Sequence, residues 1–267
     1  MKELTANELK QVQIDIMKFV HNFCEKNGIK YFICSGTLIG AVRHKGFIPW
    51  DDDIDIMMPR DDYERFISLF SKENGRYKVW SHKLQDNYPF PYAKVTDEKT
   101  YKRENIIGAI ELGVDIDIFP LEDIPDNDIE VKRLFAIGKK YNGMLTLKQT
   151  TLSKNRSIFK NIALVIGRLV LIFKSVHSIL EELDKNAQKY HGNGGCRSAD
   201  VVFCIAGMRE IQQKAYYEKT ILMPFEKEYF VAPKMYHEFL MTRYGDYMKL
   251  PPVEQRVTHH SFVAYWV

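Results

Sequence analysis

Four aspartates fall within five positions in the run Trp50-Asp51-Asp52-Asp53-Ile54-Asp55. Like charges packed this closely repel, so fold stability alone does not account for the run. From Asp53 to Met57 polar and apolar residues alternate. That period of two predicts a strand with Asp53 and Asp55 on one face, ~7 Å apart. Hard carboxylate oxygens at that spacing suit Mg²⁺, which is usually held by one or two carboxylates plus substrate phosphates; Mn²⁺ is the alternative ion. A solvated strand face is the weaker reading, because Asp is depleted in strands, whereas Asp52 fits a solvated turn after Pro49 equally well. A second alternating run, Val114-Asp115-Ile116-Asp117-Ile118-Phe119, offers a third carboxylate. Asp115 and Asp117 share a face there, and spacing does not choose between them. Upstream, Ser35-Gly36-Thr37 supplies a glycine turn with hydroxyls and backbone amides at a helix start, a setting suited to phosphate. Fewer than 20 residues separate it from the Asp pair. Arg43, His44 and Lys45 follow the short helix; the Arg43 fork matches phosphate oxygens best. Lys94, in Pro91-Tyr92-Ala93-Lys94-Val95, is a further cation on a strand.

These groups need elements to position them. Thr5-Ala6-Asn7-Glu8 reads as a capping box, followed by Leu9, Val12, Ile16, Phe19, Val20 and Phe23 at helical spacing, with Gly28 as the stop. Strands are predicted at 29–34, 53–57, 77–81, 92–95 and 114–119, and helices at 38–43 and 61–70. From Val131 the pattern becomes mainly helical, ending in a helix from Lys234 to Tyr244 stopped by Gly245. The expected fold is α+β: a nucleotidyltransferase-type mixed sheet core with a mainly helical C-terminal elaboration. Residues 1–130 would form the catalytic core, and 131–267 a basic, substrate-binding region packed with it as one unit.

Composition sets the outer bounds. The chain has 267 residues, 45% hydrophobic and 27% charged, which excludes a disordered chain, a collagen-like repeat or a disulfide-stapled miniprotein. The net charge of +3 hides an asymmetry: residues 1–130 carry 17 Lys and Arg against 24 Asp and Glu, whereas 131–267 carry 21 against 11. Between Val131 and Leu180 there are ten basic residues and no acidic one. Cys24, Cys34, Cys196 and Cys204 show no CxxC spacing and follow no signal segment, so free thiols and a cytoplasmic location are expected. His191, Cys196 and Cys204 match no common zinc spacing. The apolar stretch from Ile158 to Leu180 is broken by Lys160, Arg168 and Lys174, whereas a spanning helix needs ~20 nearly uninterrupted apolar residues. The basic segment, with its apolar runs, fits either peripheral contact of 131–180 with an anionic membrane or the solvated side of a core helix. Nucleic acid is disfavoured as a partner, because the acidic cluster would repel the same backbone.

The stretch from Ser35 through Ile56, which reads SGTLIGAVRHKGFIPWDDDIDI, closely resembles the signature of the LicD family of phosphotransferases. The resemblance continues at Val114-Asp115-Ile116-Asp117-Ile118-Phe119-Pro120-Leu121, Met223-Pro224-Phe225-Glu226 and Arg243-Tyr244-Gly245-Asp246-Tyr247-Met248-Lys249-Leu250-Pro251-Pro252. It implies Mg²⁺-dependent transfer of phosphocholine from CDP-choline to a hydroxyl of a lipid-linked cell-surface glycan precursor, of teichoic acid or lipopolysaccharide type, with release of CMP. Relatives of the fukutin type instead move ribitol phosphate from CDP-ribitol. Residue by residue, it carries over Asp53 and Asp55 as the metal pair and Asp117 as the third acidic position, a metal ligand or the acceptor of the hydroxyl proton. Ser35, Gly36, Thr37, Arg43, His44, Lys94, Glu226 and Arg243 are the expected substrate contacts, and His259-His260 matches a family position too. Choline would call for an aromatic enclosure, with Tyr216, Tyr217, Tyr229, Phe230, Tyr236, Tyr244, Tyr247 and Trp266 as the pool. Two rival readings remain, a nucleotidyl transfer to a small molecule and a non-catalytic glycan- or membrane-binding scaffold.

Overall fold

A computed structural model describes residues 1–267 except 105, 106, 108, 109, 155, 194 and 259–261. In chain order the elements are β1 (Lys2–Glu3), α1 (Ala6–Asn27), β2 (Phe32–Ile33), α2 (Ser35–His44), β3 (Asp55–Pro59), α3 (Arg60–Phe70), β4 (Tyr77–Trp80), β5 (Ala93–Asp97), β6 (Thr100–Glu104) and β7 (Asp115–Ile124). There follow α4 (Asp128–Gln149), α5 (Ile158–Val170), α6 (Val176–Ala187), β8 (Arg197–Ala199), β9 (Gln212–Gln213), α7 (Ala215–Glu218), β10 (Thr220–Phe225), β11 (Glu228–Pro233), α8 (Tyr236–Tyr244) and β12 (Phe262–Trp266). The architecture is α+β.

The main sheet runs β2-β3-β7-β5-β4, and β8 and β9 extend it from the far end of β7. β3 and β7 pair in parallel, while β2, β5 and β8 join antiparallel. A second sheet, β1-β12-β6, closes one side, and β10 with β11 makes a hairpin. α1 forms because both ends are capped: Glu8 N donates to Thr5 Oγ1 at 3.2 Å, Thr5 N donates to Glu8 Oε2 at 2.9 Å, and Gly28 ends the helix in the left-handed region at φ 60°. Its apolar stripe, including Val12, Ile16, Met17 and Val20, is buried under the sheet. The sheet contributes Ile54, Ile56, Ile116 and Ile118 to that core, leaving the intervening aspartates on the other face.

The second half is helical through Ala187 and then, among the described residues, carries the short strands β8 to β12, with the β10–β11 hairpin that periodicity overlooks. Pro224 interrupts its pattern, and its two-residue turn places Glu226, not a glycine or asparagine, at φ 56°. Phe225, Phe230, Phe239 and Leu240 share one apolar cluster with Ile16, Ile33 and Phe66, whereas α4 and α6 meet over smaller clusters of their own. All four cysteines are free. No helix among the described residues is long and apolar enough to cross a membrane.

Candidate active site

Three adjacent strands present the charged row. In the parallel register Asp55 of β3 stands beside Asp117 of β7, and in the antiparallel register Lys94 of β5 stands beside Asp117 on its other side. Paired residues share a face at the strand spacing of ~4.8 Å. Lys94 Nζ lies 2.6 Å from Asp117 Oδ1 and 3.2 Å from Asp115 Oδ2. Asp115 is also held by Lys102 Nζ at 2.6 and 2.8 Å. Two lysines therefore neutralise Asp115: burial raises its carboxyl, but Lys102 and Lys94 outweigh this and leave it below its ordinary value. Asp117 goes the other way, raised by burial and by Asp115 against the pull of Lys94. The two aspartates that spacing could not tell apart thus differ in environment: Asp115 is enclosed between lysines, and Asp117 is the one beside Asp55.

Asp55 is the focus of negative charge. Burial first, then the charges of Asp53, Asp117 and Asp51, hold its carboxyl well above its ordinary range, with Arg243 offsetting part of the effect. Asp53 lies just ahead of β3 rather than within it, in a segment 51–54 that carries no regular structure. Two contacts set that segment. Gln13, buried on α1, donates to the Asp52 carbonyl at 2.8 Å, and Asp51 N donates to Ile48 O at 2.9 Å.

α2 starts directly under this segment, and its first residues do three different jobs. Ser35 is the first helical residue, in the left-handed region at φ 48°. Gly36 stands close under Asp51: a Cβ there would sit 2.5 Å from Asp51 Oδ2 and push that carboxylate aside. Thr37 is buried, and its hydroxyl accepts the amide of Asp55 at 2.8 Å. This last contact ties the helix start to the first residue of β3; the threonine hydroxyl faces the backbone of the acidic strand.

Arg43 and His44 stand at the other end of α2, ~12 Å from Ser35 at the helical rise. Arg43 Nη1 donates to Tyr247 O at 2.8 Å and so fastens the C-terminal segment, and His44 meets the Trp50 ring edge-on at 6.4 Å. Glu226 accepts the amide of Phe47 at 3.1 Å and fixes the loop between α2 and the acidic run. Gly46 lies directly beneath the Glu226 carboxylate, leaving no room for a side chain. Arg243 comes to the site from α8. Its Nη1 is 2.7 Å from Glu210 Oε2, its Nε has no hydrogen-bond partner among the described residues, and its charge acts on both Asp55 and Cys34. Sequence reasoning missed its support: burial and the neighbouring Glu210 push Asp200 up to about 7, and Phe203 N donates to that carboxylate at 2.9 Å. Neither Gln13 nor Asp200 lies in a recognisable pattern, so no local signal marks them.

Of the aromatic pool, Tyr244 packs toward Ser35 and Arg243, where burial raises its hydroxyl. Phe230 is core, Tyr217 bonds to Ser198, and Tyr247 bonds to His237. His259 and His260 lie outside the described residues.

The acidic row is the place where a divalent cation would sit. Among the described residues no three His, Cys, Asp or Glu side chains already stand in metal-ligating geometry, and Asp117 is engaged by Lys94. The chemistry nevertheless fits: Asp55 is surrounded by carboxylates whose mutual repulsion a hard cation would relieve.

Comparison with known proteins bears on this site. The family described as "LicD/FKTN/FKRP, nucleotidyltransferase domain" matches residues 28–151, the segment that holds α2, the acidic run, Lys94 and Asp117. The chain is 31% identical to the lipopolysaccharide cholinephosphotransferase LicD of Haemophilus influenzae over 99% of both chains. It is 46% identical over 82 residues to an uncharacterized protein of Rickettsia typhi, covering 29% of this chain and 26% of that one. It is 30% identical over 76 residues to the mouse ribitol 5-phosphate transferase FKRP, covering 27% of this chain and 15% of that one. The full-length likeness to a cholinephosphotransferase, together with the family match over the acidic strands, identifies the chain as a member of the LicD family of phosphotransferases.

Proposed function

We propose that the protein transfers phosphocholine from CDP-choline to a hydroxyl of a lipid-linked cell-surface glycan precursor, releasing CMP. The observation that carries this reading is the row Asp55–Asp117–Lys94 across three strands, with the charges of Asp53 and Arg243 both acting on Asp55. Full-length likeness to a lipopolysaccharide cholinephosphotransferase favours choline as the alcohol and a lipopolysaccharide-type acceptor, with teichoic acid as the alternative glycan.

In this reading Asp53 and Asp55 hold Mg²⁺ or Mn²⁺, with Asp117 as the third oxygen donor within reach. A bound divalent ion would neutralise the diphosphate of the donor and stabilise the departing CMP. The rest falls to the chain. Phosphoryl transfer needs positioning and charge neutralisation more than covalent chemistry. The first turn of α2, from Ser35, offers amides to phosphate oxygens, and the guanidinium of Arg243 supplies a fixed positive charge beside Asp55. The acceptor oxygen attacks the phosphorus of phosphocholine, the bond from that phosphorus to the CMP oxygen breaks, and CMP leaves with the electron pair. The hydroxyl proton passes to a carboxylate; Asp117, raised by its burial, is suited to take it.

The test is incubation of the protein and Mg²⁺ with an acceptor glycan and a panel of CDP-alcohols, choline, ribitol and glycerol among them, reading CMP release. CDP-choline should give CMP, and Asp55→Asn should abolish it. Pyrophosphate in place of CMP would establish nucleotidyl transfer instead. CMP from CDP-ribitol alone would make ribitol phosphate the transferred group, the group in the name of the mouse relative. Asp117→Asn separates the two duties open to that residue: a ligand role predicts weakened Mg²⁺ binding, a proton-acceptor role unchanged binding with kcat lowered by roughly 10²–10⁴.

A further inference from the structure

α5 is an apolar helix with an uncovered face. One edge packs inward: Leu171, at its end, is buried, and a Cβ on Gly167 would come 3.1 Å from Leu147 of α4. Arg168 turns the same way, its Nε donating to Leu147 O at 2.9 Å. None of the residues of α5 itself is buried. The remaining perimeter carries Phe159, Ile166, Leu169 and Val170, continued by Ile172 and Phe173 in the turn that follows; Phe159 is 80% exposed, Val170 77% and Phe173 99%. Scattered apolar side chains are ordinary on a surface, but a contiguous helix face of this kind marks an interaction site.

Length and charge select the occupant. At 13 residues α5 extends ~20 Å, short of the ~30 Å hydrocarbon core, so a bilayer could take it only along its surface and not across it. The segment itself is basic: no acidic residue occurs from 131 to 180, and the nearest ion pair among the described residues is that of Lys174, in the turn after α5, with Glu182 at 2.6 Å. Lys154 and Lys160, both exposed, flank the apolar face, and neither forms an ion pair with a carboxylate among the described residues. Lys132, Arg133, Lys139 and Lys140 are also exposed, further back along α4 from its contact with α5 at Leu147. A second copy seated on this face by a two-fold axis would set these cations against their own equivalents. An anionic lipid surface instead satisfies both features at once, accepting the apolar side chains beneath its headgroups and the lysines among its phosphates.

We propose that α5 and the turn through Phe173 dock the protein in the interface of an anionic bilayer. The proposal does not depend on which donor the enzyme uses. It is tested with the full chain by sedimentation with vesicles of phosphatidylglycerol and phosphatidylcholine, against vesicles of phosphatidylcholine alone. Wild type should co-sediment with the anionic vesicles, and the exposed-site variant F159S/I166S/F173S should lose at least roughly tenfold in partitioning. Lys154→Glu with Lys160→Glu should also weaken binding, each cation near the surface being worth about fivefold. A second readout is Phe173→Trp, whose emission should shift to the blue with anionic vesicles and be quenched by lipids brominated on their acyl chains. Equal sedimentation of wild type and the triple-serine variant, or no blue shift, would overturn the proposal. So would a wild-type dimer that ignores vesicles and becomes monomeric in the triple-serine variant, which would assign the face to a second copy.

Discussion

Replacing Lys94 by Met probes the charge balance of the site through one side chain. Lys94 is 6% exposed, packs over the rings of Phe90 and Tyr92 at 5.0 and 5.5 Å, and reaches Asp117 at 2.6 Å. Met keeps the aliphatic packing and removes only the charge. Asp115 retains Lys102, so Asp117 is the carboxylate that loses its cation, beside Asp55. Breaking a buried pair costs ~3–5 kcal/mol, and the partial exposure of Asp117, 16%, sets the expectation at the lower end, ~3 kcal/mol. For a chain of this size that is a fall in Tm of roughly 6–12 °C. Adding Asp117→Asn to Lys94→Met should restore about 2 kcal/mol, because the uncompensated charge is then gone. Mg²⁺ should do the same from outside, stabilising Lys94→Met more than wild type, by up to ~2.7 kcal/mol at a hundredfold excess over its Kd. The assay is urea unfolding followed by circular dichroism, in EDTA and in Mg²⁺, across the two single variants and the double. Effects that add within ~0.5 kcal/mol, or equal stabilisation of all four proteins by Mg²⁺, would refute the idea that Lys94 stands in for a cation at Asp117.

Thr37→Val leaves the Asp55 amide without its acceptor and should cost ~1–3 kcal/mol; Thr37→Ser should remain near wild type, and denaturant titration distinguishes them. Gly36→Ala forces Asp51 to move, so CMP release should fall by up to roughly 100-fold while the thermal midpoint barely changes. Burial pushes His82 down to about 4, whereas an unfolded histidine titrates near ~6.5. The unfolded chain therefore takes up a proton first, and stability is lost as pH falls from about 6.5 to about 4, by ~3 kcal/mol in all. A His82→Gln variant should flatten that part of the stability–pH curve, and an unchanged slope would show that other groups govern it.

Much of this molecule is legible in local pattern. The capping box at Thr5–Glu8 and the glycine at position 28 delimit α1 because helix ends are satisfied by residues a few positions away. The alternation around Asp55 and Asp117 predicts strands because side chains on a strand switch faces at every step. Pattern fails where the decisive partner is distant. The β10–β11 hairpin lacks turn chemistry at its tip, and Glu226 adopts a left-handed backbone there while its side chain binds the amide of Phe47, far away in sequence.

The sequence by itself determined which groups were available: a cluster of aspartates, a small-residue helix start and a basic stretch empty of acids. Only the tertiary structure decided how they are used. Parallel pairing of β3 with β7 sets Asp55 beside Asp117, and Lys102, reaching in from β6, closes off Asp115. α8 brings the charge of Arg243 to bear on Asp55, and α1 brings Gln13 to the acidic run. The physical reason is one of range: caps and alternation are settled within a few residues, whereas strand register and the neutralisation of a buried charge depend on side chains that meet only once the whole core has packed.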